Sequence, residues 1–269
     1  MRERRRRRPD APVSVIGGGT TGIEVATALA STGRPVTLVV PPEHRLLGLG
    51  AADAHWLDSH LDRLGVSVVR DTIQHIDEHG IHGLHSTPTE LVLPCTGFQA
   101  SGAARALGLP TQDRGQVAVL PTLAVLGHPN LWAAGDAAAV PTMPWLHMSC
   151  AAALPMGAHA AANILATLRG DRAQPLSLAL PVRCTALGPR TALVQQMGAG
   201  GPEGWCLQGL GAAVIKAGIV AMVSRMSRWE AQAGRPLYRW AQGPVPASLD
   251  ATPRHALALR SAPEAGAHP

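Results

Sequence analysis

The chain has 269 residues, 46% of them hydrophobic and 15% charged. That is enough for one large or two ordinary domains with a real core, and it excludes a disordered chain. The formal charge of +5 resides in residues 2–8, six arginines and one glutamate, so the remainder is near neutral and a nucleic-acid role rests on that tail alone.

In chain order, residues 1–11 read as a basic, disordered tail. Val13 to Ile16 is a β-branched run that predicts a buried strand, closed by Gly17-Gly18-Gly19. Thr20 to Ser31 has apolar Ile23, Ala26, Leu29 and Ala30 at helical spacing, and Gly33 stops it. Val36 to Val40 predicts a second buried strand ended by Pro41-Pro42. The three form a βαβ unit and imply a parallel sheet. Residues 51–64 predict a helix and Val66 to Val69 a third strand. Residues 73–92 read as a small antiparallel excursion before a strand at Glu90–Leu93. Further strands are expected at Gly115–Val119 and Leu131–Ala133. A long Ala-rich helix is expected over 149–168, kinked or divided at Pro155. Beyond Asp171, strands are expected at Leu176–Cys184, Thr191–Gln196 and Gly204–Leu207, then a helix from Ala212 to Trp229. The Pro/Ala/His-rich residues 244–269 read as a disordered tail.

The strongest motif is Gly17-Gly18-Gly19-Thr20-Thr21-Gly22-Ile23-Glu24, a G-x-G-x-x-G that follows a strand and opens a helix. In that setting Gly17 makes a tight turn, Gly19 lets a pyrophosphate approach, and Gly22 lets helix pack on strand. The helix N-terminus supplies N–H donors to the diphosphate. The acidic partner for the adenosine ribose should end the second strand, but Val40 stands there. Glu43 could reach the ribose instead and Arg45 could accept a 2′-phosphate, so NADH and NADPH both stay open. In Leu131-Trp132-Ala133-Ala134-Gly135-Asp136-Ala137 a strand runs into a glycine and a lone Asp. By chemistry alone Asp136 binds sugar hydroxyls or caps the next helix. Cys95, Cys150, Cys184 and Cys206 contain no C-x-x-C, which argues against a zinc ribbon or a thioredoxin-like pair. No secretory segment follows the basic start, so a cytoplasmic location is expected. The apolar run Leu210 to Val223, interrupted by Lys216, is too short for a membrane span. His75, His79, His82 and His85 read as a solvated cluster rather than a metal site.

Taken in order, I-G-G-G-x-x-G-x-E, L-V-L-P-C-T-G-F and L-W-A-A-G-D-A resemble the FAD-dependent pyridine nucleotide-disulfide oxidoreductase superfamily over about residues 12–170. The nearest branch resembles type II NADH dehydrogenases and apoptosis-inducing-factor-like oxidoreductases, which also lack an active-site disulfide. The resemblance implies that Gly17, Gly18, Gly19, Thr20, Thr21 and Gly22 bind NAD(P)H and that Glu24 approaches the nicotinamide. It further implies that Gly97 lies at a domain junction and that Gly135 and Asp136 bind FAD. The helix Ala153-Leu154-Pro155-Met156-Gly157 would face the flavin through Pro155 and Gly157, with Cys150 read as a small buried thiol. The family carries two glycine fingerprints and this chain carries the second only. The FAD-binding half is therefore expected to be truncated, lost to a wrongly assigned start, or supplied by a separate polypeptide.

The fold expected is α/β: a Rossmann-type parallel-sheet NAD(P)H domain at 12–97, a partial FAD-type segment at 98–170, and a small α+β C-terminal domain at 171–243. The function expected from the resemblance is an FAD-dependent NAD(P)H oxidoreductase passing electrons to a quinone-like small acceptor. The alternative is a non-catalytic NAD(P)H-binding module or one part of a split flavoenzyme. Homo-oligomer formation and peripheral contact with the inner face of the plasma membrane belong to the same expectation. The helix from Ala212 to Trp229 suits either a membrane surface or a protein core. A short-chain dehydrogenase is rejected because the only tyrosine, Tyr238, is followed four residues later by Gln242 instead of lysine.

Overall fold

The structure, a computed structural model, describes residues 11–198, 201–234 and 239–243. The Arg-rich start, the tail from residue 244 and Tyr238 lie outside them. The described residues group into two compact units. One holds those up to Gly97 and those of 181–238; the other holds those of 98–180 and 239–243.

The first unit begins with β1 (Val13–Ile16), α1 (Thr20–Ala30), β2 (Val36–Val40), α2 (Ala51–Leu64) and β3 (Val66–Arg70). A short antiparallel sheet follows, made of β4 (His75–Ile76), β5 (Gly80–His82) and β6 (Ser86–Pro88), and then β7 (Leu91–Pro94). The main sheet runs β3-β2-β1-β7, all parallel, with Val13 opposite both Val36 and Leu91. All four residues of β1 are buried, as a strand in a covered parallel sheet requires. Ile23 of α1 and Leu57 and Leu61 of α2 are fully buried against Val15, Leu38 and Val40. Each such side chain contributes about 1.5–3 kcal/mol by leaving water. Gly65 ends α2 at φ +77°, a left-handed cap that favours glycine.

The second unit contains α3 (Ala103–Ala106), β8 (Val117–Ala118), β9 (Ala124–Val125), β10 (His128–Trp132), β11 (Ala138–Ala139) and α4 (Cys150–Leu168). β8 pairs with β11 in parallel and β9 with β10 in antiparallel. Ala152, Met156 and Ala160 of α4 pack on Val117, Leu123, Leu176 and Leu178. α4 is one continuous helix through Pro155, neither divided there nor interrupted. The proline removes a single backbone bond near the first turns, and the buried face carries the helix across it. The strand expected at Leu176–Cys184 is absent over its first half. Leu176 and Leu178 are buried, yet residues 171–180 have no strand partner; they anchor the chain through the Leu176 N–H to the Pro121 carbonyl, 2.8 Å. Asn163, almost fully buried, bonds the carbonyls of Thr122 and Gln174 and the Gln174 N–H, which fixes the exit from α4.

The chain then completes the first unit with β12 (Val182–Ala186), β13 (Ala192–Gly198), β14 (Gly201–Gly209) and α5 (Leu210–Ala233). The three strands form an antiparallel sheet. Leu187 and Leu193 join the core of α1 and α2. His60 on α2 donates to the Leu187 carbonyl at 2.7 Å, Gln208 bonds Asp53, and Arg183 reaches the Leu47 carbonyl. These contacts tie β12–β14 to the elements of the parallel sheet, in one compact unit.

Candidate functional site

The turn between β1 and α1 is held from both sides. The Gly17 N–H donates to the Val39 carbonyl at 2.9 Å and the Cys95 N–H to the Ile16 carbonyl at 2.7 Å. Gly17 has φ +115°, and a Cβ there would stand 2.5 Å from the Cys95 carbonyl oxygen. A Cβ on Gly18 would meet His44, Leu46 and Val40 at 2.7–2.9 Å. A Cβ on Gly22 would lie 1.8 Å from the Gly17 carbonyl oxygen, so α1 packs on the loop only because that position is glycine. Gly19 is different: nothing lies within 4 Å of its Cβ position. It caps α1 with no side-chain hydrogen bond. The N–H groups of the first turn, from Thr20, Thr21 and Gly22, lie at the positive end of the helix without intrahelical acceptors. A helix N-terminus of this kind is suited chemically to an anion.

Glu24, on the next turn of α1, faces the C-terminal sheet. Its Oε1 accepts from the Ala186 N–H at 2.8 Å and from Lys216 Nζ on α5. Lys216 Nζ also donates to the Cys184 carbonyl at 3.2 Å. Both side chains are about three-quarters to two-thirds buried. The sequence singled out Glu24 but not its partner. The one available signal was that Lys216 is the chain's only lysine, placed in an otherwise apolar run. Burial pushes the nearby Cys184 thiol upward, and burial with the Asp53 carboxylate pushes Cys206 up to about 11. Cys95 is raised by burial as well. These three stay protonated thiols near neutrality, and all four cysteines are free.

At the far end of the loop, Val40 is fully buried and offers no carboxylate. Beyond it a cavity of about 350 Å³ is lined by Glu43, His44, Arg45, Asp58 and Arg70. Arg70 donates to the His44 carbonyl at 2.9 Å and holds the loop after β2. The His44 Nε2 is buried there without a hydrogen-bond partner among the described residues. Gly97, at φ +115°, is the last residue of the first unit's opening run.

In the second unit, Gly135 adopts φ +64° and abuts α4; a Cβ there would stand 3.0 Å from that of Ala153. Asp136 follows in a single 3₁₀ turn, Gly135–Ala137. Its carboxylate is exposed and does not cap α4, whose N-cap is Ser149, accepting from the Ala152 N–H at 3.3 Å. Pro155 is on the buried face of α4, whereas Gly157 is exposed. Cys150, expected as a small buried thiol, is exposed, because it is the first residue of α4 and precedes the helix's packed face. α4 is the one described helix long and apolar enough to cross a membrane by length and composition. On α5, Ala212 packs under the antiparallel sheet while Leu210, Val214 and Val220 are exposed.

The sequence profile of the family described as pyridine nucleotide-disulphide oxidoreductase matches residues 2–163. The chain is 27% identical over 235 residues to demethylphylloquinone reductase NdbB of Synechocystis, covering 79% of this chain and 52% of that protein. It is 31% identical over 163 residues to type II NADH:quinone oxidoreductase Ndh of Mycobacterium tuberculosis, covering 49% of this chain and 34% of that one. The chain thus spans about half the length, or less, of the curated relatives it matches. Among solved structures, water-forming NADH oxidase from Lactobacillus brevis bound to NADH shares the fold at a TM-score of 0.56 and 21% identity, covering 70% of this chain and 42% of that one. LpdA from Mycobacterium tuberculosis does so at 0.56 and 19%, covering 77% of this chain and 42% of that one.

Proposed function

The chain belongs to the pyridine nucleotide-disulphide oxidoreductase family, and from that membership we propose that it takes electrons from NAD(P)H and passes them, with FAD, to a quinone-like acceptor. The observation that carries the proposal is the open, uncapped N-terminus of α1 above Gly19, beside three glycines whose Cβ positions are blocked by protein. The relatives named as quinone reductases support the acceptor class.

In this reading Gly17, Gly18, Gly19, Thr20, Thr21 and Gly22 hold the dinucleotide diphosphate by backbone N–H donation. Glu43, which lines the cavity after β2, meets the adenosine ribose, with Arg45 lining the same cavity. Glu24, fixed by Ala186 and Lys216, orients the nicotinamide end. The residues present fit part of an FAD site. Gly135 lets the backbone come close to α4, and the Asp136 carboxylate beside it makes no protein hydrogen bond among the described residues, so it is free to accept from flavin ribityl hydroxyls. Pro155, on the same helix α4, borders that region. FAD supplies the two-electron relay that protein side chains lack. No protein nucleophile is required, in keeping with thiols that burial keeps protonated.

A peripheral membrane location is part of the proposal, supported by the exposed Leu210, Val214 and Val220 of α5. The test is NADH oxidation by the chain supplemented with FAD and a water-soluble quinone. Turnover that requires both additions supports the proposal. Saturable NADH binding without turnover leaves a nucleotide-binding module, and absence of binding refutes both.

A further inference from the structure

The β4–β5 hairpin carries a cluster that the nucleotide site does not use. His75 and His82 are direct cross-strand partners. Their rings stack with centroids 4.5 Å apart and 11° between planes. Asp77 sits in the turn between the strands, with its Oδ1 3.0 Å from His82 Nε2. One ring nitrogen from each histidine and one carboxylate oxygen all lie within 4.8 Å of one another. We propose that His75, Asp77 and His82 bind a divalent cation of the zinc type.

The donor set argues for that class of ion. Two imidazoles and one carboxylate suit Zn²⁺, Ni²⁺ or Cu²⁺, whereas Mg²⁺ requires oxygen ligands. Ligand atoms about 2.0–2.1 Å from a tetrahedral zinc stand about 3.3 Å apart. The His82–Asp77 pair is already at that spacing, and the exposed His75 closes the rest by side-chain rotation. Two of the three ligands are fixed beforehand. Asp77 Oδ1 accepts from the N–H groups of His79 at 2.8 Å and Gly80 at 3.2 Å. The Ser86 hydroxyl lies 3.2 Å from His82 Nδ1, which orients the ring with Nε2 toward Asp77.

The hairpin itself is anchored rather than loose. Ile81 is buried against Ile16 and Val39 of the parallel sheet. Just beyond β5, Asp71 accepts from the N–H groups of Leu84 and His85, each at 2.9 Å. A bound cation replaces the His82–Asp77 hydrogen bond and ties β4 to β5, with water completing its coordination. The linear spacing hides this set. The ligands fall at i, i+2 and i+7, a pattern that converges only through the hairpin register.

The test uses the full chain, untagged and freed of metal by a chelator, titrated calorimetrically with Zn²⁺ alone and with Mg²⁺ as comparison. The expected result is one saturable Zn²⁺ site and no Mg²⁺ response. Affinity should fall about tenfold or more in His75→Gln and in Asp77→Asn. His75 is exposed, so His75→Gln keeps its circular dichroism spectrum and melting temperature. Zn²⁺ should raise the melting temperature of the parent chain and not of that variant. Absence of saturable Zn²⁺ binding overturns the proposal. So does an affinity unchanged in both variants, which would place the ion on other histidines.

Discussion

Alanine at Gly19 and alanine at Gly22 perturb one loop through opposite physics. At Gly22 the new Cβ would stand 1.8 Å from the Gly17 carbonyl oxygen, a backbone atom that cannot rotate away. α1 must then lift off β1, at a cost at or above the upper end of the about 1–3 kcal/mol typical of overpacking. At Gly19 no atom lies within 4 Å, and φ −77° with ψ 180° suits alanine. Only the weaker capping preference of alanine acts there, worth about 1 kcal/mol or less. The methyl group does, however, occupy the approach to the first-turn N–H groups. Losing one charge-assisted hydrogen bond to the diphosphate costs about 1.5–3 kcal/mol, or about ten- to hundredfold in affinity. Urea unfolding followed by circular dichroism reads the first effect, and nicotinamide fluorescence on titrating NADH reads the second. Gly22→Ala should lose stability. Gly19→Ala should stay folded and bind weakly. A folded Gly19→Ala chain with parental NADH affinity would refute the placement of the diphosphate over α1.

Glu24→Gln and Lys216→Met should each destabilise the first unit by about 1–3 kcal/mol, the cost of breaking a partly buried charge-assisted bond. Their double-mutant cycle should show coupling of more than about 0.5 kcal/mol, and additive changes in denaturation midpoint would deny the pair. Asp136→Ala should reduce FAD uptake by equilibrium dialysis while leaving the melting temperature within error, since that carboxylate makes no hydrogen bond among the described residues. On acidification, the N–H groups of His85, Leu84 and Thr72 hold the Asp71 carboxyl below its usual 3.8. Because that pKa is depressed by folding, its contribution is fully present above about pH 4 and is lost as pH falls below that value. The protection factors of the Leu84 and His85 amides should fall in that window in the parent chain. In Asp71→Asn they should be lower already at neutral pH; equal protection there would refute the argument.

Much of the first unit is legible in the residues because its signals are local. A β-branched run, a glycine turn, a helical period and a second apolar run fix β1, α1 and β2, and the structure places all three within a residue of the expected bounds. α2 is equally legible from Trp56, Leu57, Leu61 and Leu64 with Gly65 behind them. What is not legible depends on pairing over long distances. Leu176 and Leu178 have the apolar alternation of a strand, yet they are buried by packing on α4 with no ladder beside them. The association of β12–β14 and α5 with the parallel sheet rests on His60–Leu187, Arg183–Leu47 and Glu24–Lys216, partners more than 120 residues apart. The glycine cradle of the candidate site is local and visible in the sequence. The salt bridge behind it is visible only once α5 is folded back.

The most direct test of the account is a visible absorption spectrum of the purified chain after incubation with FAD, recorded before and after anaerobic addition of NADH. The account predicts bound flavin absorbance that bleaches on NADH addition. Flavin that binds but keeps its oxidised spectrum under NADH, or folded protein that takes up no flavin at all, would contradict it.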